Sequence, residues 1–208
     1  MRPYEKNPSA IYAQSFATVR AEARLDRFDA GMQALAIRLI HSCGMVEIAD
    51  RIVFSDGAYQ AGQAALASGA PVLCDCEMAG AGIIRRYLPA DNQVVVTLND
   101  PSVPDHAQSI GNTRSAAAVD LWLPHLEGAV VAIGNAPTAL FHLLELLDQG
   151  APKPAVILGF PVGLSGLPSP RRNFLLIPVS VISSLSVAVV VVRRLLLLRS
   201  LRWLPFCP

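Results

Sequence analysis

The first 163 residues alternate between stretches with helical signals and short apolar runs of strand length. Asn7 followed by Pro8 is typical of a helix start, because asparagine caps free N–H groups and proline fits the first turn. Gly44 and Gly150 follow two other helical stretches and are typical helix ends. The pattern predicts helices over residues 8–24, 31–43, 59–68, 78–86, 114–123 and 137–147, and strands over residues 71–75, 93–98, 129–133 and 155–158.

Apolar runs separated by helices indicate right-handed crossovers and a parallel sheet. Ligands of such sheets bind beyond the carboxyl ends of the strands, so residues 75–77, 99–100 and 134–138 are the first candidates. The turn at 134–138 opens a helix directly after a strand, and we expect its free backbone N–H groups to face a carboxylate or phosphate. The sequence lacks both glycine-rich nucleotide patterns, so a nucleotide ligand is poorly supported.

Several side chains carry candidate chemistry. Arg114 lies in a polar turn before a predicted helix and can grip a carboxylate with two hydrogen bonds. His41 lies near the end of an apolar helix. On the sequence alone, a packed histidine bonded to a backbone carbonyl is favoured over a proton donor, although imidazole titrates near neutral pH. The other three histidines are interpreted as structural.

Cys74 and Cys76 flank an aspartate at the end of a predicted strand. A single C-x-C pair without a second pair is a weak signal for metal, so we expect structural thiols and no metal site. Four cysteines in 208 residues do not make a disulfide scaffold, which favours a reducing compartment. Residues 1–6 lack the apolar segment of a signal peptide, and we therefore expect a cytoplasmic protein.

Charge is balanced overall but unevenly placed. The chain carries 17 Lys+Arg and 16 Asp+Glu, and this near-neutral balance argues against a nucleic-acid partner. Every acidic residue lies at or before Asp148, whereas residues 171–208 contain six arginines and no acid. Within that tail, residues 174–192 are uncharged and long enough to be considered as a membrane span. Their Val and Ile content also fits buried strands, and membrane association is not our expectation.

Six strings, taken in order, resemble the precorrin-8X methylmutase family. Together they cover about residues 4–163, and their order makes the resemblance specific although each string is modest alone. The strings are IYAQSF at 11–16, RLIHSCG at 38–44, APVLCD at 70–75, GNTRSA at 111–116, AIGNAPTAL at 132–140 and LGFPVG at 158–163.

The resemblance implies an α/β three-layer sandwich with a mainly parallel sheet and helices on both faces, working as a homodimer. It implies an isomerase that moves a methyl group from C11 to C12 of precorrin-8X, or of its cobalt-containing equivalent, giving hydrogenobyrinate. A rearrangement of this kind needs no cofactor. The family's catalytic histidine matches His41, as general acid. The substrate-binding residues that we expect are Ser15, Arg20, Thr113, Arg114, Asn135 and Thr138.

Two alternatives stay open at this point. The first is a tetrapyrrole-binding protein that keeps the pocket without turnover. The second is an α/β enzyme that binds a phosphate ligand at residues 134–138. A corrinoid-binding titration separates the second alternative from the leading interpretation.

After residue 163 the composition departs from the family pattern, which predicts a methylmutase-like domain over 1–163 and a divergent tail over 164–208. Three explanations of the tail are open. It is a frame-shift product that begins near codon 164, a membrane anchor over residues 174–192, or a pair of strands that completes the sheet.

Overall fold

The computed structural model describes residues 4–160 and 187–192. The chain divides into two compact units, one ending at Ile52 and the other beginning at Val53. The first unit contains α1 (Pro8–Glu22), α2 (Ala30–Cys43) and a short 3-10 helix at Val46–Arg51. The sequence pattern did not predict this boundary, and the predicted division at residue 163 stays a prediction.

Local signals explain both helices of the first unit. The side chain of Asn7 accepts hydrogen bonds from the N–H groups of Ser9 and Ala10, and Pro8 occupies the first turn of α1. Helix α2 buries an apolar stripe at helical spacing, and it ends at Gly44, whose φ of 69° is left-handed. The stripe consists of Met32, Ala36, Ile37 and Ile40.

The elements that follow are β1 (Ile52–Phe54), α3 (Ala58–Ala67), β2 (Val72–Cys74), α4 (Glu77–Gly82), β3 (Val94–Val96), α5 (Val103–Ser109), α6 (Arg114–Asp120), β4 (Val130–Ile133), α7 (Pro137–Asp148), β5 (Val156–Gly159) and β6 (Ala188–Val192), with 3-10 turns at Arg85–Tyr87 and Leu123–His125. Apart from Ile52, the first residue of β1, they belong to the second unit. The six strands form one sheet with the order β1-β6-β5-β4-β2-β3. The pairs β2–β3, β2–β4, β4–β5 and β5–β6 are all parallel, as the sequence predicts.

Helices cover both faces of this sheet. Successive strand residues point to opposite faces, so Leu73 packs in a cluster with Leu140 and Leu143 of α7. The neighbouring Val72 packs instead in a cluster with Ala65 of α3. The predicted α/β sandwich with a mainly parallel sheet is confirmed.

Three local predictions differ from the structure. The helix predicted over residues 78–86 ends at Gly82, because Ile83 is extended and a 3-10 turn follows. Helix α5 was not predicted, since it is seven residues long and buries only Val103 and Ala107. Strand β1 was also missed, because three residues are too few to give a periodic signal.

Part of the divergent tail completes the sheet. Strand β6 lies between β5 and β1 and runs parallel to β5. On the other side of β6, the backbone N–H of Ser55, directly after β1, donates to the Val189 carbonyl at 2.9 Å. Residues 188–192 therefore form one strand of the sheet, and the second strand of the predicted pair stays a prediction.

The other two explanations of the tail fall mainly outside the described residues. The candidate span over 174–192 is described only from residue 187 onward. Among the residues that the structure describes, no helix is long and apolar enough to cross a membrane. The frame-shift hypothesis concerns a segment that begins at 164, and residues 161–186 are not described.

Candidate active site

His41 is hydrogen-bonded to a serine of the neighbouring helix. Its Nδ1 atom lies 2.7 Å from the hydroxyl oxygen of Ser15, and both residues are half-buried. The pair joins the last turn of α2 to the middle of α1. The sequence alone favoured a backbone carbonyl as the partner of this ring, and for Nδ1 that expectation is wrong.

Two aromatic rings flank the imidazole. The ring centroids of Tyr12 and Phe16 lie 5.1 and 5.2 Å from that of His41. These residues are four apart on α1, so they share one face of the helix. The guanidinium of Arg38 lies 5.9 Å from the centroid of Phe16. The imidazole is therefore bordered by flat apolar surfaces and has a cation nearby.

Ser15 and His41 both line a cavity of about 430 Å³ in the first unit. Its wall is partly apolar, with Ile11, Val19 and Ile40 among the lining residues. Cavities of roughly 300–1,000 Å³ are the usual size of small-molecule sites. Arg20, another predicted substrate-binding residue, is exposed in the last turn of α1 and is not among the lining residues.

Three predicted binding residues meet in the second unit. The hydroxyl oxygens of Thr113 and Thr138 lie 2.8 Å apart, and Thr113 also caps α6 by accepting from the Ala116 N–H. The exposed guanidinium of Arg114 donates to the carbonyl of Leu98 at 3.1 Å. The structure thus gathers Thr113, Arg114 and Thr138 at the carboxyl edge of the sheet, where the sequence predicted ligand contacts.

The turn after β4 does not offer the free N–H groups that the sequence analysis expected. The buried carboxylate of Asp75 accepts hydrogen bonds from the N–H groups of Gly134 at 2.9 Å, Asn135 at 2.9 Å and Ala136 at 2.7 Å. An internal carboxylate therefore supplies the negative charge expected of a ligand, and the expectation of an anion site on this backbone is wrong. The alternative of an enzyme that binds a phosphate ligand at residues 134–138 is therefore not supported, because these N–H groups are already hydrogen-bonded.

The hydrogen bond to Asp75 uses the backbone N–H of Asn135 and not its side chain. Asn135 is exposed at this edge, directly before α7. Its predicted role as a substrate-binding residue stays a prediction.

The two cysteines at the end of β2 are buried. Burial raises the pKa of the Cys74 thiol to about 11, and burial also raises the pKa of the Cys76 thiol. Protonated, buried thiols are poor nucleophiles and poor metal ligands. Within residues 4–160 and 187–192, no group of three or more His, Cys, Asp or Glu residues is arranged to hold a metal ion.

Sequence reasoning missed a polar cluster that joins three helices. The carboxylate of Asp120 lies 2.5 Å from Nε2 of His106 and 2.8 Å from Nε2 of His142. These residues come from α6, α5 and α7. No motif marks the cluster, because its members are 14 and 22 positions apart.

The fold and the imidazole site agree with one class of enzyme, the methylmutases, which are isomerases. A solved structure of precorrin-8X methylmutase from Thermus thermophilus matches with a TM-score of 0.72 at 33% identity, over 89% of this chain and 86% of that chain. The chain belongs to the precorrin-8X methylmutase family, whose model matches residues 10–186. The match extends beyond residue 163, where the resemblance read from the sequence ended.

Two curated relatives show the range of similarity. The precorrin-8X methylmutase of Pseudomonas aeruginosa is 58% identical over 166 residues, which cover 80% of each chain. The cobalt-precorrin-8 methylmutase of Priestia megaterium is 29% identical over 163 residues, covering 78% of this chain and 72% of the relative. The predicted family and the predicted isomerase class are confirmed.

Proposed function

We propose that this chain moves a methyl group from C11 to C12 of precorrin-8X, giving hydrogenobyrinate, and that His41 is the general acid. The observation that supports this role is the 2.7 Å contact between Ser15 Oγ and His41 Nδ1 at the wall of a cavity. With Nδ1 occupied by the serine, Nε2 is the nitrogen that is left to exchange a proton with a ligand.

Protonation explains how a single imidazole can catalyse the rearrangement. A proton placed on a ring nitrogen of the macrocycle withdraws electrons from the conjugated system in which the methyl group migrates. The migration conserves every atom of the substrate, so the proton returns to His41 once the new carbon–carbon bond has formed. General acid–base catalysis of this kind typically contributes about 10²–10⁴-fold in rate.

The surroundings of His41 suit a flat ligand. Tyr12 is 54% exposed and borders the imidazole together with Phe16. Aromatic rings stack favourably on conjugated surfaces. The cavity is smaller than a whole tetrapyrrole, so we propose that it receives one edge of the macrocycle, the edge that carries C11 and C12.

We propose that the second cluster binds carboxylate arms of the substrate. Arg114 is exposed, and its contact with the Leu98 carbonyl holds the guanidinium at the sheet edge. Thr113 and Thr138 place two hydroxyl groups beside it. Arginine and hydroxyl donors together suit carboxylates. Arg20 and Asn135 are both exposed and are proposed as weaker contacts.

The form of the substrate is proposed from the relatives. The relative named for precorrin-8X is 58% identical, whereas the one named for the cobalt-containing substrate is 29% identical. We therefore propose the metal-free precorrin as the substrate. A comparison of kcat/KM on both substrates tests this choice, and a higher value on the cobalt form would contradict it.

The family resemblance supports a homodimer, and the four cysteines in 208 residues favour a reducing compartment. We propose a homodimer in the cytoplasm. Light scattering on the purified chain should give the mass of two subunits, and the mass of one subunit would contradict the dimer. A fluorescent fusion should distribute through the cytoplasm, and a membrane or extracellular signal would contradict that location.

The decisive test is conversion of labelled substrate. Precorrin-8X carrying ¹³C in the migrating methyl group is incubated with the purified full chain, and NMR follows the carbon to which that methyl is attached. We expect the label to move from C11 to C12 at an unchanged molecular mass. Binding without movement would support the non-catalytic tetrapyrrole-binding alternative, and the absence of both would refute the proposal.

A further inference from the structure

The side chain of Asp120 contacts α5 and α7, at the end of α6 opposite the proposed binding residues Thr113 and Arg114. Its two carboxylate oxygens meet Nε2 of His106 at 2.5 Å and Nε2 of His142 at 2.8 Å. A carboxylate only accepts hydrogen bonds, so each Nε2 carries the hydrogen. One side chain of α6 therefore holds α5 and α7 at the same time.

The His142 ring depends on this contact. Its Nδ1 atom is buried and has no hydrogen-bond partner among the residues that the structure describes. The Glu145 carboxylate is 3.7 Å from Nδ1, beyond hydrogen-bonding distance. The bond to Asp120 is thus the hydrogen bond that fixes the orientation of this ring.

The centre of α6 is held by close packing and by one hydrogen bond. Its central residues are small and fully buried, running from Ala116 through Val119. The hydroxyl of Thr97 donates a hydrogen bond to the Ala118 carbonyl at 2.8 Å. Each end of α6 has a polar contact with α7 in addition: Thr113–Thr138 at the start and Asp120–His142 at the end.

We propose that Asp120, held by His106 and His142, is a positioning residue for substrate binding. It lies six residues from Arg114, about 9 Å along the helix axis. It fixes the C-terminal end of α6 against α5 and α7, and through the orientation of that helix it sets the placement of the Arg114 guanidinium. This inference rests on the proposed function, because it assumes that Arg114 binds substrate.

The test compares Asp120→Ala and Asp120→Asn in the wild-type chain and in an Arg114→Ala background. In the wild-type background we expect Asp120→Ala to raise KM, and the Kd of the corrinoid product, roughly tenfold, with kcat within about twofold. Asp120→Asn should have a smaller effect, because the amide oxygen still accepts from one histidine. Asp148→Asn, at the exposed end of α7, is the control and should leave KM unchanged.

The double variant distinguishes positioning from a general loss of stability. If Asp120 acts through Arg114, Asp120→Ala should change KM little once Arg114 is already alanine. An equal effect in both backgrounds would overturn the inference. If Asp120→Ala does not fold, the KM values of Asp120→Asn and His106→Gln are compared in the same two backgrounds. His106 is suitable because its side chain is partly exposed.

The outcome also separates this inference from the function on which it rests. Arg114→Ala alone should raise KM, and an unchanged KM would refute the proposed substrate role of that arginine. A raised KM for Arg114→Ala combined with no effect of Asp120→Ala would refute only the positioning role.

Discussion

The hydroxyl oxygen of Ser15 lies 2.7 Å from Nδ1 of His41, a contact that spans 26 positions of the chain. A serine hydroxyl can donate or accept, so it can stay bonded to Nδ1 whether or not that nitrogen carries a hydrogen. The imidazole can therefore gain and lose a proton at Nε2 while its orientation is kept. This relationship makes His41 suited to repeated proton transfer.

Replacing Ser15 with alanine should lower kcat about two- to tenfold, since an orienting hydrogen bond contributes roughly 0.5–1.5 kcal/mol. The Kd of the corrinoid product should change much less, because the aromatic rings beside His41 remain, and a large rise in Kd would favour the predicted role of Ser15 as a substrate contact. Steady-state kinetics and a product titration measure the two effects. Ser42→Ala is the matched control, because that exposed hydroxyl bonds the Arg38 carbonyl instead. Equal kcat values for the two variants would contradict the orienting role.

Asp75→Asn should lower the free energy of unfolding by about 2–4 kcal/mol, because hydrogen bonds to charged groups contribute about 1.5–3 kcal/mol and buried unsatisfied donors are costly. The wild-type carboxylate accepts three backbone N–H groups, whereas an amide brings its own donors to the same place. Urea unfolding gives the value. The exposed Asp91, changed to asparagine, is the control. A loss below 1 kcal/mol would contradict the structural role of this carboxylate.

Gly80→Ala should destabilise the fold by about 1–3 kcal/mol through overpacking. A Cβ atom at Gly80 would lie 2.8 Å from Cγ2 of Val96, a stiff β-branched side chain. Gly82 is the matched control, since a Cβ there meets nothing within 4 Å. Thermal unfolding should show a clear loss for Gly80→Ala and none for Gly82→Ala.

A second pair of variants tests whether the contact with Val96 causes this loss of stability. In a Val96→Ala chain the clashing methyl group is absent, so Gly80→Ala should cost less there than in the wild-type chain. If Gly80→Ala lowers the stability equally in both chains, the close approach of α4 and β3 is not the cause of the loss.

Much of the fold was predictable because its signals are local. Each buried strand is an apolar run bounded by turn residues, and Asn7 and Gly44 mark helix ends through their own chemistry. Parallel pairing then places the residues that follow each strand on one edge. This reasoning predicts Thr138 at the sheet edge, whereas Arg114 was predicted from its polar turn before a helix and Thr113 from the family resemblance.

The missed features depend on contacts between distant residues. Asp75 bonds a turn that begins 59 positions later, and no local pattern shows that this turn is already satisfied. The Asp120 cluster depends in the same way on how three helices pack. The candidate role of His41 came from family resemblance, because periodicity alone favoured a packed ring.

The measurement that tests the account most directly is turnover of precorrin-8X by His41→Ala beside the affinity of the same variant for hydrogenobyrinate. We expect kcat to fall by about 10²–10⁴-fold, the usual contribution of a general acid. The Kd of the product should stay close to that of the wild-type chain. His125→Ala, an exposed histidine in the 3-10 turn Leu123–His125, should keep full activity. Turnover by His41→Ala at the wild-type rate would contradict the proposal that this imidazole delivers the proton.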